Sequence, residues 1–370
     1  VKNKDKKRNI DDNFFTFQKE DILNDSDIDV VVELIDDANA AFEIVKTALQ
    51  NGKAVVTANK KMVAEHLQEL YDLQKKHQKP LLYEAAVCGA IPIIRNLEEY
   101  YDNDLISSIE GIFNGSTNYI LTKVFEEKKS YADALQKAQE LGFAESDPSL
   151  DVKGFDAKYK LVIAIAHTFG VFVKPEDVVN IGIDQISDID LKFARENDYT
   201  IKLVVRAFKR NGKVFGFVAP QFIENQNLLS TVRNEYNAVI VEGAFSEKQL
   251  FIGKGAGSYP TGSAVLSDIS ALTYDYAYEY KKRFQEGDSF SNDLLVDAFV
   301  SFSAPVQIAT SDFERVDSGY VASGKQYIVG QVALSRLKAW SQLPGVGIIL
   351  APQAKFVAPT EKAKAASLVA

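Results

Sequence analysis

Residues 27–59 read DIDVVVELIDDANAAFEIVKTALQNGKAVVTAN, and the hydrophobic pattern within them changes period twice. Val30, Val31 and Val32 with Leu34 and Ile35 form a near-continuous run, which suits a parallel strand covered on both faces. Ala41, Ile44, Val45, Ala48 and Leu49 then recur at helical spacing, with Gly52 as the stop. KAVVTAN (53–59) predicts a second strand, KKMVAEHLQELYDLQKKHQ (60–78) one long helix, and PLLYEA (80–85) a third strand. Strand and helix alternating at this pitch predict a doubly wound parallel sheet with right-handed crossovers.

After about residue 105 the pattern changes. LISSIEGIF (105–113) reads as a strand, and 116–142 as two helices, the second opened by a Ser130–Asp133 capping box. TIKLVVRAFKR and KVFGFVAP flank Asn211–Gly212 as a hairpin, with further strands at NAVIVEGAF (237–245) and QLFIGKG (249–255). Local pairing replaces crossovers, so a second domain with a largely antiparallel sheet is expected. A late helix is expected over 262–284, and 288–350 reads as a small β-rich addition with a helix at 330–340.

At 370 residues the chain exceeds what one core usually serves, and two or three domains are expected. Hydrophobic residues at 46% and charged residues at 25% describe a folded globular protein. A formal charge of −9 argues against nucleic acid or an anionic membrane as partner, because both need concentrated positive potential. No apolar stretch approaches the roughly 20 residues that cross a bilayer, and no signal-peptide core opens the chain, so a cytoplasmic location is expected. Cys88 is the single cysteine, which rules out an internal disulfide, and with only His66, His77 and His167 to join it a zinc site is not expected. Chemistry falls to lysines, carboxylates and main chain.

GFAESDPSLDVKGFDAKYKL (142–161) runs into the apolar LVIAIA (161–166). With a helix from about Phe155, Asp156 and Lys160 stand four apart on one face. That spacing suits a surface ion pair. It also suits a cleft lined by Glu145, Asp151, Asp156 and Lys160, where Lys160 moves a proton if its surroundings tune an amine of reference pKa about 10.4. His167, on the same face, reads as a packed core histidine. VTANKK (56–61) ends a predicted parallel strand, where doubly wound folds bind ligands; Lys60 and Lys61 either serve a ligand or begin the next helix as solvated charges. YEAAVCGAIP (83–92) is either a tight strand-to-helix turn or, through Glu84 and carbonyls near Gly89, a seat for a hard cation. GKGAGSYPTG (253–262) and FNGSTNYIL (113–121) set glycine ahead of a helix, where backbone and helix terminus can approach an anion.

In order and spacing, TANKK, YEAAVCGAIPIIRNL, GIFNGSTNYIL, GFAESDPSLDVKGFDAKYKL and GAGSYPTGSAVLSD resemble homoserine dehydrogenase, over residues 28–285 or so. The resemblance implies an α/β protein with a partial doubly wound dinucleotide-binding domain at 1–105 and a substrate-binding and dimerisation domain with a largely antiparallel sheet at 106–255. A helix at 256–287 would return to the cofactor domain, followed by a small addition at 288–350 and a tail at 351–370. The implied reaction is reversible hydride transfer between NADP or NAD and the pair L-homoserine and L-aspartate 4-semialdehyde, on the route from aspartate to threonine and methionine. By position, Lys160 matches the family's proton donor and acceptor, Asp156 its orienting carboxylate, and Lys60 the lysine between cofactor and substrate. Glu145 and Asp151 match acids that contact the amino acid, and Ala58, Gly257 and Asp36 match cofactor contacts. Glu84 with the carbonyls of Val87, Gly89 and Ile91 matches a monovalent-cation site, usually sodium. A homodimer through the antiparallel sheet is also implied.

Two features depart from the family. The fingerprint G-x-G-x-x-G is absent, and the sequence opens at what resembles the end of the second strand. The first βα unit is expected to precede Val1, because a chain without it would lack a pyrophosphate cradle and expose a sheet edge. The stretch 288–350 is short for the regulatory amino-acid-binding domain that many relatives add, which leaves threonine feedback open. Lys2, with Asn3, Lys4, Lys6, Lys7 and Arg8, stands where the family's second strand meets the ribose; basic residues there favour NADP(H), though a solvated loop would read the same. The rival reading is a non-catalytic ligand-sensing or assembly module derived from this family. The missing fingerprint favours it, and intact Lys60, Asp156 and Lys160 oppose it.

Overall fold

The structure is a computed structural model that describes residues 9, 11, 14–102, 105–284, 288–322 and 324–352. A short helix α1 (Glu20–Leu23) leads into β1 (Val30–Glu33), α2 (Ala38–Gln50), β2 (Ala54–Thr57), α3 (Lys60–Glu65), α4 (Leu67–His77), β3 (Leu81–Leu82) and α5 (Ile93–Glu98). The three strands pair in parallel in the order β1-β2-β3, Val31 opposite Val55 and Val55 opposite Leu81. Val55, Val56, Leu81 and Leu82 are fully buried, as strands covered on both faces require. Asp37 caps α2 by accepting from the Ala40 amide, and Ala41, Phe42, Val45, Ala48 and Leu49 form its buried face. The long helix expected over 60–78 is two helices. His66 leaves the helical backbone at φ −118°, and its imidazole stacks on Phe42 with ring centroids 3.9 Å apart, a contact that offsets the interrupted helical ladder.

The chain continues through β4 (Ile106–Ile112), α6 (Gly115–Glu126), α7 (Tyr131–Glu140), α8 (Ser149–Val152), α9 (Phe155–Phe169), β5 (Val179–Asn180) and α10 (Asp188–Glu196). It then forms β6 (Tyr199–Arg210), β7 (Lys213–Glu224), β8 (Tyr236–Gly243), β9 (Glu247–Lys254) and α11 (Ser258–Leu272). The last elements are β10 (Ser289–Phe290), β11 (Leu295–Ser303), β12 (Arg315–Ala322), β13 (Lys325–Ala333), α12 (Leu334–Trp340) and β14 (Val346–Leu350). One large sheet runs β12-β13-β11-β14-β7-β6-β4-β8-β9, with β5 and β10 attached to β7. Along that path every pair is antiparallel except β14 with β7. The β6–β7 hairpin turns at Asn211 and Gly212 with φ of 51° and 70°, the left-handed pair that Asn-Gly tolerates.

The stretch 288–350 does not stand apart from this sheet. Its strands continue it, with β11 flanked by β13 and β14 in a split βαβ arrangement whose first crossover holds a 3-10 turn at Thr310–Asp312 instead of a helix. Val296, Ala298 and Val300 share a buried cluster with Phe217 and Trp340, while Phe299 meets Phe193 of α10 at 4.6 Å.

The helix expected over 262–284 starts earlier and stops at Leu272. Beyond it Tyr274, Tyr276, Tyr278 and Tyr280 fall at every second position, the period of extended chain, and Tyr278 and Tyr280 are buried. Their rings lie 5.1 Å from His167 of α9. The His167 Nδ1 donates to Glu98 Oε1 at 2.6 Å, its Nε2 meets the Tyr83 hydroxyl at 2.8 Å, and that hydroxyl meets the Tyr280 hydroxyl at 2.6 Å. Glu98 Oε2 accepts the amides of Glu279 and Tyr280. This buried polar network latches the strap after α11 to the C-terminal end of α9.

Burial alone would push the Glu98 carboxyl up, but the His167 imidazole and the Tyr280 amide hold it below its ordinary 4.5. Its stabilising contribution is therefore complete above pH 4.5 and is lost as pH falls through the lower folded value. Glu98→Gln should cost about 1–3 kcal/mol at neutral pH and flatten the acid limb of a urea-denaturation series below that point. An unchanged acid limb would refute the latch.

Candidate active site

Three helix starts converge on one carboxylate. Asn59 caps α3 by accepting from the Met62 amide at 3.0 Å, which puts Lys60 in the first turn. Gly154, at φ 78°, precedes α9 and puts Asp156 in its first turn, where the helix dipole favours an anion. Asn114 caps α6: its Oδ1 accepts from the Thr117 amide at 2.8 Å, which leaves Nδ2 to donate to Asp151 Oδ1 at 2.7 Å and Asp156 Oδ2 at 2.9 Å.

Asp156 Oδ1 accepts from Lys60 Nζ at 2.9 Å, and Oδ2 accepts from Lys160 Nζ at 2.7 Å. Lys160 also donates to the Phe113 carbonyl at 2.7 Å. An ammonium has three donors, so one N–H of Lys160 has no acceptor among the described residues. The Asp156–Lys160 pair is no surface pair, since both side chains are only 8% exposed. Lys60 is the open side of the cluster, with 40% of its side chain exposed.

Electrostatics follow from this packing. Burial works to raise Asp156, but Lys160 and Lys60 outweigh it and hold the carboxyl below its ordinary value. The Asp156 charge is the largest cause of the raised Lys60 pKa, with Asp151 and Glu145 adding to it. Asp151 is raised, chiefly by burial and then by the like charge of Asp156. Glu145 lies exposed at the rim, within electrostatic reach of Lys60.

Beside the cluster, Asp36, Ala58, Asn59, Gly257, Thr261 and Val265 line a cleft of about 410 Å³ at the carboxyl ends of β1 and β2. Of the four expected cofactor contacts among the described residues, Asp36, Ala58 and Gly257 lie on it, whereas Lys60 follows Asn59 of its lining without lining it. Gly257, at φ 109°, starts α11 there in a conformation that side chains rarely adopt. Asn59 Nδ2 donates to the Ile35 carbonyl at 2.9 Å and ties the two loops of the cleft together. Lys2 lies outside the described residues.

Glu84 is buried at the turn below. Its two oxygens accept the amides of Ile94 and Arg95, each at 2.9 Å, at the start of α5. Burial pushes its carboxyl up to about 7. The Ile91 carbonyl accepts from the Ile93 amide at 2.8 Å, whereas no hydrogen bond reaches the Val87 or Gly89 carbonyl among the described residues. No cluster of three His, Cys, Asp or Glu able to hold a metal exists among the described residues, so a cation at this turn would need main-chain oxygens beside the single Glu84 carboxylate. A Cβ on Gly89 would sit 2.6 Å from the Gly255 carbonyl, so this turn and the loop before α11 touch through backbone.

His167 lies in the latch and not in the site. Asn114 is the member of this cluster that the pattern reading passed over. Its signal was Asn-Gly-Ser-Thr ahead of a helix, which marks a cap but not the use of its spare amide.

A family model described as "Homoserine dehydrogenase" matches residues 92–270, and one described as "Homoserine dehydrogenase, NAD binding domain" matches residues 1–84. The chain is 41% identical over 274 residues to the homoserine dehydrogenase of Bacillus subtilis, covering 74% of this chain and 63% of that relative. It is similar in structure to a homoserine dehydrogenase from Thiobacillus denitrificans, with TM-score 0.78, 30% identity, and coverage of 91% of this chain and 85% of the other. A hyperthermophilic archaeal homoserine dehydrogenase in complex with NADPH matches with TM-score 0.62 and 30% identity over 71% of this chain and 77% of its own. The chain thus spans a little under two thirds of the curated relative's length.

Replacing Asp156 leaves the buried Lys160 ammonium without its counter-ion. Asp156→Asn should therefore destabilise the protein by roughly 3 kcal/mol at neutral pH, the usual scale for breaking a buried pair. The carboxylate's contribution is present above its ordinary 3.8 and lost as pH falls through its lower folded value, so the mutant and wild-type urea midpoints should converge in acid. Equal midpoints at pH 7 would show the pair to be unimportant.

Proposed function

Because the chain belongs to the homoserine dehydrogenase family, we propose that it interconverts L-homoserine and L-aspartate 4-semialdehyde, with Lys160 moving the proton at the alcohol oxygen. One observation carries the reading: a buried ammonium, fixed by Asp156 and the Phe113 carbonyl, has a third N–H without an acceptor among the described residues. A bound nicotinamide dinucleotide supplies or takes the hydride. Lys160 donates its free N–H to the aldehyde oxygen, stabilises the alkoxide as charge develops, and passes it the proton; in the reverse direction it receives that proton.

Asp156 orients both lysines, and Asn114 holds Asp156 and Asp151 in register. Asp151 and the rim carboxylate of Glu145 receive the substrate's ammonium. Lys60, half open between this cluster and the cleft at Asp36, Ala58 and Gly257, faces cofactor and substrate together. Lys2 and its basic neighbours favour NADP(H) over NAD(H). A non-catalytic sensing module gives no reason for two lysines to share one desolvated carboxylate.

The Glu84 turn suits a monovalent cation such as sodium. A buried carboxylate there has two amide donors on its own oxygens, and the Val87 and Gly89 carbonyls lie in the same turn. Bound there, the ion would brace the turn against the Gly255 loop. We also propose a homodimer through the large sheet, whose outer strand β9 and the turn before it expose Ile252 and Phe245. The buried, unpaired Cys88 and the acidic composition fit a reducing cytoplasm.

In the full-length protein, Lys160→Ala should lower kcat for homoserine oxidation by roughly 10²–10⁴ with little change in NADPH affinity. Turnover near the wild-type value would reject the role given to Lys160. A separate measurement addresses the cation. Exchanging sodium for choline should lower wild-type turnover and leave Glu84→Gln indifferent, whereas equal sensitivity of the two proteins would remove sodium from this turn.

A further inference from the structure

A second polar cavity, remote from the site just described, lies at the other end of α6. Asn114 caps the start of that helix, and Glu126 ends it, about 18 Å away at 1.5 Å per residue. The cavity holds about 530 Å³ between α6, β6 and the loop 225–233.

Lys202 lies on its wall with 4% of its surface exposed. Its Nζ donates to Asn118 Oδ1 at 2.8 Å and to the Val232 carbonyl at 2.7 Å, both neutral acceptors. Two neutral acceptors could be served by a neutral donor, so they do not account for a buried charge. The nearby carboxylate, Glu126, is engaged elsewhere: its Oε1 lies 2.8 Å from Arg233 Nε, on the same cavity. Lys202, Arg233 and Glu126 together carry one net positive charge. Burial pushes the Lys202 amine down to about 8, as a cation without a counter-ion should be. Thr200, on the same strand and wall, keeps its hydroxyl buried without a partner among the described residues.

We propose that this cavity binds a small organic carboxylate, its oxygens taken by Lys202 and Arg233. Two features choose the class. The missing charge is a single negative one, which a monocarboxylate supplies. The volume exceeds that of an inorganic ion, and Leu121, Phe125 and Ile201 offer an apolar wall for a short carbon chain.

Titration calorimetry of the whole protein with butyrate, butyramide and inorganic phosphate tests it. Butyrate should bind saturably, and butyramide, of the same shape without charge, should bind at least roughly tenfold more weakly, a difference of about 1.4 kcal/mol. Arg233→Gln, at an exposed position that leaves folding intact, should weaken butyrate by a similar factor without changing homoserine turnover, and Lys202→Met should abolish binding. Equal affinity for butyrate and butyramide overturns the proposal, as does phosphate binding in butyrate's place. Unchanged butyrate affinity in Arg233→Gln, with loss in Asp156→Asn, would place the ligand in the active site and overturn it as well.

Discussion

The centre of this structure is one carboxylate shared by two ammonium groups in a place that water barely reaches. Asp156 would resist ionisation if burial acted alone, yet Lys160, Lys60 and Asn114 together keep it charged. The dependence runs both ways. The buried Lys160 side chain finds its counter-charge in Asp156, 2.7 Å away and one helical turn back on α9. Lys60 and Asn114 come from other elements, so the starts of α3, α6 and α9 must all meet at this point for the charges to balance.

The rest of the fold holds those three starts still. Almost every residue of α9 is buried, which is the state expected of a helix that is apolar all round. Its polar groups are confined to its ends; the buried Thr168 hydroxyl has no partner among the described residues, but most of the others are satisfied there. At the N-terminal end the cluster around Asp156 does this, and at the C-terminal end His167 pairs with Glu98 and Tyr83. The strap after α11 closes over that second end, so one helix links the Asp156 cluster to the chain segment that follows the cleft at Gly257. Backbone contact between Gly89 and Gly255 sets the spacing on the other side, with no side chain to yield if the loops shift.

The periodic elements were legible from the residues: the parallel β1-β2-β3 unit, the antiparallel sheet, and the Asn211–Gly212 hairpin each carry a local signal. Two helices were misjudged for physical reasons. His66 stops a helix that its neighbours would continue, because stacking on Phe42 outweighs local propensity. The tyrosines at 274–280 follow a favourable helical sequence, but alternate rings are drawn into the aromatic cluster at His167, and only an extended chain can bury them so. The addition at 288–350 was legible as β-rich, while its merger with the main sheet through Leu350 and Gln221 was not.

By itself the amino-acid sequence determined most of the element types, the spacing of Asp156 and Lys160 on one helical face, and the family likeness of the blocks around them. Such features depend on neighbours a few residues apart, whose geometry the backbone sets. It could not distinguish a surface ion pair from a buried one, nor bring Lys60 and Asn114 to the same carboxylate from distant segments. Desolvation is a property of everything packed around a group, and it sets both the cost of a charge and the strength of its pairing. That environment exists only in the folded chain, so the tertiary structure alone decided that this pair is withdrawn from water.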